Sequence, residues 1–244
     1  MYHLLRKQIL LLLIGCCISS FVFSQFEKGE VYREEHDDKP YYFGMTLGYA
    51  STYLAHSKTP RFLANDSVLS IEPGFSPSFA LGLMATLHPY NRWEFRINPQ
   101  LILGISRSFR YRLNPPDPAQ GEDSIEKRNV QSTVISFPLS VKFNSDRIHN
   151  FRIYMMGGVQ MDLDLASNAA ARNAEQLLKL KKFDYGVHCG IGFNFFLPFV
   201  TVSPEIKFVW GMADLHSRSP DLKFSNNLDK LQSRMIMFSL HLEE

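Results

Sequence analysis

The sequence predicts an all-β fold: a single eight-stranded antiparallel transmembrane β-barrel of the outer membrane, with long extracellular loops and short periplasmic turns. Three observations predict it. The chain opens with an export signal, eight later segments alternate bulky apolar residues with small or polar ones, and the connections between them alternate short and long.

Arg6 and Lys7 precede an apolar run from Ile9 to Ile14, and a weaker apolar tail continues through Gly15, Cys16, Cys17 and Ile18 to Phe23. Positive, apolar and small residues in that order read as a secretory signal peptide. The run falls short of the roughly 20 apolar residues that a spanning helix needs. Cleavage near Ser24 makes residues 1–24 the signal and Gln25 the first mature residue. Leu13, Ile14, Gly15 and Cys16 also form a passable lipobox, but apolar residues continue past Cys16 as in an unfinished signal core. Of the 26 Lys and Arg in the 244-residue chain the signal removes two, leaving 24 against 24 Asp and Glu. No basic nucleic-acid footprint remains. Cys189 is then the one mature cysteine, so neither a disulfide framework nor a cysteine metal site is available.

Residues 25–40 are dense in charge and poor in apolar groups. They cannot bury a core and read as a mobile periplasmic lead-in. His36, Asp37 and Asp38 within it read as a solvated linker in preference to a metal site.

From residue 41 to 244 a period of two dominates, which sends successive side chains to opposite faces of a strand. Tyr41, Phe43, Met45, Leu47 and Tyr49 oppose Tyr42, Gly44, Thr46, Gly48 and Ala50. Phe79, Leu81, Leu83, Ala85 and Leu87 oppose Ser78, Ala80, Gly82, Met84 and Thr86. The third strand sets Trp93, Phe95, Ile97, Leu101, Leu103, Ile105 and Phe109 against Glu94, Arg96, Asn98, Gln100, Gly104, Ser106 and Ser108. The fourth turns Ile135, Phe137, Leu139, Val141 and Phe143 to one side. Ile153 to Leu163, Phe183 to Phe193, Val200 to Trp210 and Ile236 to Leu242 supply the bulky faces of the last four.

Short turns are predicted around His88 to Asn91, Asn144 to Asn150 and Phe196 to Phe199. Long polar loops are predicted around 55–73, 112–128, 166–181 and 214–230. Residues 168–180 favour a short helix by propensity. An even strand count places both termini on the turn side.

A soluble sandwich also alternates, so the second face has to decide. It carries Gly44, Gly48, Gly82, Gly104, Gly158, Gly186, Gly190 and Gly192, and glycine on a water-facing strand gains nothing. Inside a narrow barrel, small residues make room for long charged ones. Glu94, Arg96, Arg152, Asp162, Asp184, Glu205 and Lys207 are the candidates for that interior polar network. Tyr41, Tyr42, Trp93, Phe109, Tyr111, Phe196 and Trp210 suit two interfacial girdles. Asp162, Asp164, Asp184 and His188 are read as a hydrogen-bonded network with Arg152 and Lys207 in preference to a cation site, since buried charges need partners. Cys189 has lipid-facing parity.

The sequence holds no phosphate-binding glycine loop, zinc-binding helix or serine-nucleophile elbow. Asp214, His216 and Ser217 fall too close together in one loop to converge as a triad. Hence no catalytic, cofactor-binding or metal residue, no small-molecule substrate and no enzyme activity is expected. A diffusion pore needs roughly 16 strands, which this chain lacks.

Three segments carry a family resemblance: WEFRINPQLILG (Trp93 to Gly104), VISFPLSVKFNSDRIHNFRIYMMGGVQMDLDLASN (Val134 to Asn168) and FDYGVHCGIGFNF (Phe183 to Phe195). Their pattern of FPL, then Lys142, then NSDR at 144–147, then Tyr154 with Gly157 and Gly158, resembles the PorT family of Bacteroidota outer-membrane proteins. The resemblance implies a component of the type IX secretion system, needed for export and maturation of cargo with a C-terminal sorting signal. It implies an accessory or assembly factor, with outer-membrane lipid and other secretion proteins as partners. A generic structural or adhesive small barrel is the alternative.

Overall fold

The computed structural model describes residues 31–58, 68–90, 92–113, 125–165, 181–215 and 228–244. The expected signal at 1–24, the helix expected within 168–180, His216 and Ser217 lie outside these residues. The chain divides into two compact units, Met1–Tyr32 and Arg33–Glu244, and the second is the barrel.

A one-turn helix α1 (Glu35–Asp38) precedes ten strands. They are β1 (Tyr41–Lys58), β2 (Val68–Gly74), β3 (Ser76–Tyr90), β4 (Trp93–Ile97), β5 (Gln100–Leu113), β6 (Ile125–Asn144), β7 (Phe151–Asp164), β8 (Phe183–Phe196), β9 (Thr201–Gly211) and β10 (Leu228–Glu243). In the wall these count as eight. β2 and β3 continue one another across Phe75, and β4 and β5 across Asn98 and Pro99, where proline supplies no ladder donor.

Neighbours pair antiparallel around the ring, and β1 pairs with both β3 and β10. Met45, for instance, faces Leu83 on one side and Leu242 on the other. That double pairing closes the barrel and leaves no strand edge for lipid to meet.

The alternation read from the sequence settles into two faces. On β1 the outward Tyr41, Phe43, Met45, Leu47 and Tyr49 are 45–58% exposed, while Tyr42, Thr46 and Ala50 are buried in the lumen. Similar bulky residues cover the outside of β3, β4, β6, β7, β8 and β10. An apolar belt of that extent is what acyl chains solvate, whereas water would not. Aromatic pairs sit toward its turn side, with Trp93 against Phe143 at 4.9 Å and Phe151 against Phe195 at 5.3 Å. Tyr53 against Phe75 at 5.2 Å marks the loop side. No helix among the described residues is long and apolar enough to cross a membrane.

Three expectations are corrected. Tyr42 and Phe196 are not girdle residues, because both rings are buried within the barrel mouth. The third strand does not keep one parity along its length. At Gly104, with φ +79°, the pairing of β5 with β6 slips between Ile102 and Ile105. A β-bulge with glycine in the left-handed region inserts one residue and reverses the faces beyond it. Gly104 is therefore exposed, and Ile105 turns inward and is buried. The lumen is also not filled by glycine and charge alone. Ala50, Ala80, Ile102, Ile105, Val134, Val209, Met235 and Met237 form an apolar cluster inside it, toward the loop side.

The two adjacent glycines of β7, Gly157 with outward parity and Gly158 facing the lumen, differ in what they permit. A Cβ on Gly158 would fall against the backbone carbonyl of Leu139 on the paired strand, which cannot yield without breaking the ladder. A Cβ on Gly157 would meet nothing closer than the His188 carbonyl at 3.7 Å. Gly158→Ala is expected to destabilise the barrel by roughly 2 kcal/mol, and Gly157→Ala to leave it within about 0.5 kcal/mol of wild type. Urea midpoints read from the mobility difference between boiled and unboiled samples check the pair.

Candidate functional site

The turn-side half of the lumen holds a charged layer. Glu94, near the start of β4, pairs with Lys142 Nζ at 2.9 Å and accepts from Tyr42 Oη at 2.7 Å and Asn144 Nδ2 at 2.6 Å. Two residues on, Arg96 reaches Glu243 at 2.7 Å and Glu205 at 3.4 Å. Glu205 also accepts from Tyr154 Oη at 2.8 Å and has His241 Nε2 3.4 Å away. Lys142 Nζ lies 4.1 Å from the centroid of the Tyr154 ring, a cation–π contact. Three carboxylates thus share two cations, two phenols and an amide. Losing Arg96 or Lys142 would strand a buried carboxylate, at a cost of roughly 3–5 kcal/mol.

Wall geometry explains how so many long side chains fit. Tyr154 stands opposite Gly192 on β8, and a Cβ at Gly192 would clash with the phenol end of the tyrosine.

The structure brings three of the seven candidate residues, Glu94, Arg96 and Glu205, into this layer. Lys207 is buried farther along β9 and makes no ion pair with the described residues. Asp162 and Asp184 are cross-strand partners near the loop side. Gln160 Nε2 donates to Asp162 at 2.7 Å, as does the Ser136 hydroxyl, and the Ser233 hydroxyl donates to Asp184. Ser132 bonds Asp164, and His188 Nε2 lies 2.9 Å from Ser140 Oγ. The expected pairing of these aspartates with Arg152 is not made. Arg152 is ten residues from Asp162 on the same strand, roughly 33 Å along it. Among the described residues no group of three or more His, Cys, Asp or Glu is placed to hold a metal ion.

Lys142, Glu243, Tyr42, Tyr154, Asn144 and His241 complete the charged layer and were not among the sequence candidates. Lys142 and Asn144 were signalled by parity, since they follow Ser136, Pro138 and Ser140 on the inner face of β6. Glu243 lies one residue past the expected end of the last strand.

Arg152 belongs instead to the barrel's turn-side mouth, and here the lead-in is corrected. Residues 33–40 dock against that mouth through Arg33, His36 and Asp37, while Glu34, Glu35 and Asp38 stay exposed. His88 N donates to Pro40 O at 2.8 Å, anchoring the segment's exit. The His36 ring is 2% exposed, 4.5 Å from the Tyr42 ring and 5.6 Å from that of Phe196. Asp37 accepts from Arg152 at 2.7 Å and Arg147 at 3.1 Å. Arg33 Nη1 donates to Thr201 Oγ1 at 3.0 Å and to the Glu243 carbonyl at 2.9 Å. Arg147, from the turn between β6 and β7, lies 3.8 Å over the Phe196 ring and donates to the Arg33 carbonyl at 3.2 Å. The segment cannot build a core of its own, but it borrows the barrel's with one ring and a few charges.

Against protein-family models, residues 23–217 match the outer membrane protein beta-barrel domain. Among solved structures, the chain is similar to Neisserial surface protein A at 11% identity and a TM-score of 0.43, over 82% of this chain and 95% of that one. It is similar to the outer membrane protein OprG from Pseudomonas aeruginosa at 13% identity and a TM-score of 0.47, over 84% and 97%. The attachment invasion locus protein Ail of Yersinia pestis, solved with the heparin analogue sucrose octasulfate, aligns at 10% identity and a TM-score of 0.38, over 84% and 100%. No curated protein sequence matches.

Burial of His36 gives the mouth a pH response. Desolvation lowers the imidazole's pKa from 6.5 to about 4, because the docked site disfavours the charged ring. The docked segment therefore holds its full stability above pH 6.5 and loses it as the pH falls toward 4, by up to about 3 kcal/mol. A dye on Glu34→Cys in a Cys189→Ser background reports this by anisotropy. The signal is expected to stay high above pH 6.5 and to drop as acid is added, and His36→Phe is expected to flatten the drop. A constant signal down to pH 4 would contradict the assignment.

Proposed function

The chain belongs to the outer membrane protein beta-barrel domain family, and we propose that in the outer membrane it serves as an accessory or assembly factor of a type IX protein secretion system. The barrel sits in membrane lipid, and the finer role rests on the PorT resemblance together with where its residues lie.

The carrying observation is the position of the NSDR motif, which builds the periplasmic end of the barrel. Asn144 binds Glu94 in the charged layer, and the Ser145 hydroxyl accepts from Ile153 N at 3.2 Å. Asp146 accepts two bonds from Arg92, at 2.9 and 3.1 Å, and Arg147 closes over the docked lead-in. A motif that shapes the face toward the periplasm suits a protein that works by contact with secretion partners there. The lumen, filled by the charged and apolar layers, suits an accessory and not a conduit for cargo. The proposal assigns no catalysis to the chain. Asp214, the described member of the loop cluster, accepts from the Leu231 backbone N–H at 3.2 Å.

Deleting the gene is expected to abolish surface display of cargo bearing a C-terminal sorting signal, leaving unprocessed cargo in the periplasm. Replacing Asp146 and Arg147 with alanine in the full-length protein is expected to reproduce the defect while the barrel still folds. Normal display in the deletion strain would remove the proposal and leave the generic small barrel.

A further inference from the structure

We infer that the turn-side mouth is a peptide-binding site for an acidic segment carrying a ring beside a carboxylate, and that residues 33–38 occupy it in cis. The inference stands apart from the secretion reading.

The receptor half is built from the barrel. Arg147 and Arg152, both largely buried, converge on one carboxylate, that of Asp37. Guanidinium groups suit this role because their planar donors match carboxylate geometry. The rings of Tyr42 and Phe196 form a slot that takes the His36 imidazole. At the rim, Thr201 Oγ1 and the Glu243 carbonyl accept from the incoming Arg33. A charged pincer, an aromatic slot and a backbone acceptor in one concavity make up a recognition site with chemistry at each position.

The occupant fits it incompletely. His36 Nε2 is buried without a hydrogen-bond partner, and so is Arg152 Nε in the pincer. Arg33 holds a left-handed backbone, φ 56°, which a residue with a Cβ adopts at a cost. Helix α1 has four residues and no side-chain cap at its N-terminus, so it lends the segment little order of its own. The strand ladder closes without this segment. Its tether to the barrel adds to these contacts by raising its effective concentration at the mouth to roughly the millimolar range. A second acidic peptide that satisfied the two orphaned nitrogens would compete for the same groups.

The test uses the full-length protein in detergent and a fluorescent synthetic peptide spanning Arg33 to Pro40, read by polarisation. Wild type is expected to bind micromolar peptide weakly, its mouth being filled. The double variant His36→Ala with Asp37→Asn empties the mouth and is expected to bind the peptide at least about tenfold more tightly. Adding Arg147→Ala, on the turn and outside the wall, is expected to return binding to the wild-type level. The boiled and unboiled gel shift verifies that each variant is folded. Peptide binding by the double variant no tighter than wild type overturns the inference, as does tight binding that survives Arg147→Ala.

Discussion

Lipid offers no hydrogen bonds, so every backbone N–H and C=O within the membrane has to find its partner in the chain itself. An antiparallel sheet that returns to its first strand meets that demand, and here β1 is the seam, paired to β3 and β10 at once. Side-chain parity follows from closure. Each strand offers one face to acyl chains and the other to a space too narrow for bulk water, which explains why Phe43 and Thr46, three residues apart, experience opposite solvents.

That enclosed space then dictates the lumen chemistry. A charge placed there has to be neutralised locally, so Glu94, Glu205 and Glu243 share Arg96 and Lys142 and draw on tyrosine hydroxyls for the rest. Rings and long cations need volume, and glycines such as Gly192 provide it across from them. Above this layer the lumen turns apolar, and below it a short helical turn seats itself against Arg147 and Arg152. The barrel is thus a membrane-spanning wall around charged and apolar side-chain layers, with a docked helical turn at the turn-side mouth.

The wall was legible in the sequence because period-two alternation is local. β8 shows it well, with Phe183, Tyr185, Val187 and Ile191 outward and Asp184, Gly186 and His188 inward. Features that depend on distant partners were not legible. The Gly104 bulge leaves Leu103 outward and turns Ile105 inward, and an apolar residue fits either face. The partner of Arg152 lies 115 residues away, in a segment whose composition alone suggests solvation. Asp162 and Arg152 share an inner face, yet rise along a strand keeps them apart. Parity assigns a face, while depth along the barrel axis decides which residues on that face meet.

The whole fold rests on outward parity meaning contact with lipid chains. Environment-sensitive dyes on single cysteines at Tyr185, Val187 and Ile191, and in parallel at Gly186, His188 and Gly190, in a Cys189→Ser background, test it in vesicles of brominated lipid. Strong bromine quenching is expected at the first three and little at the second three. Equal quenching along the strand, without a two-residue rhythm, would contradict it.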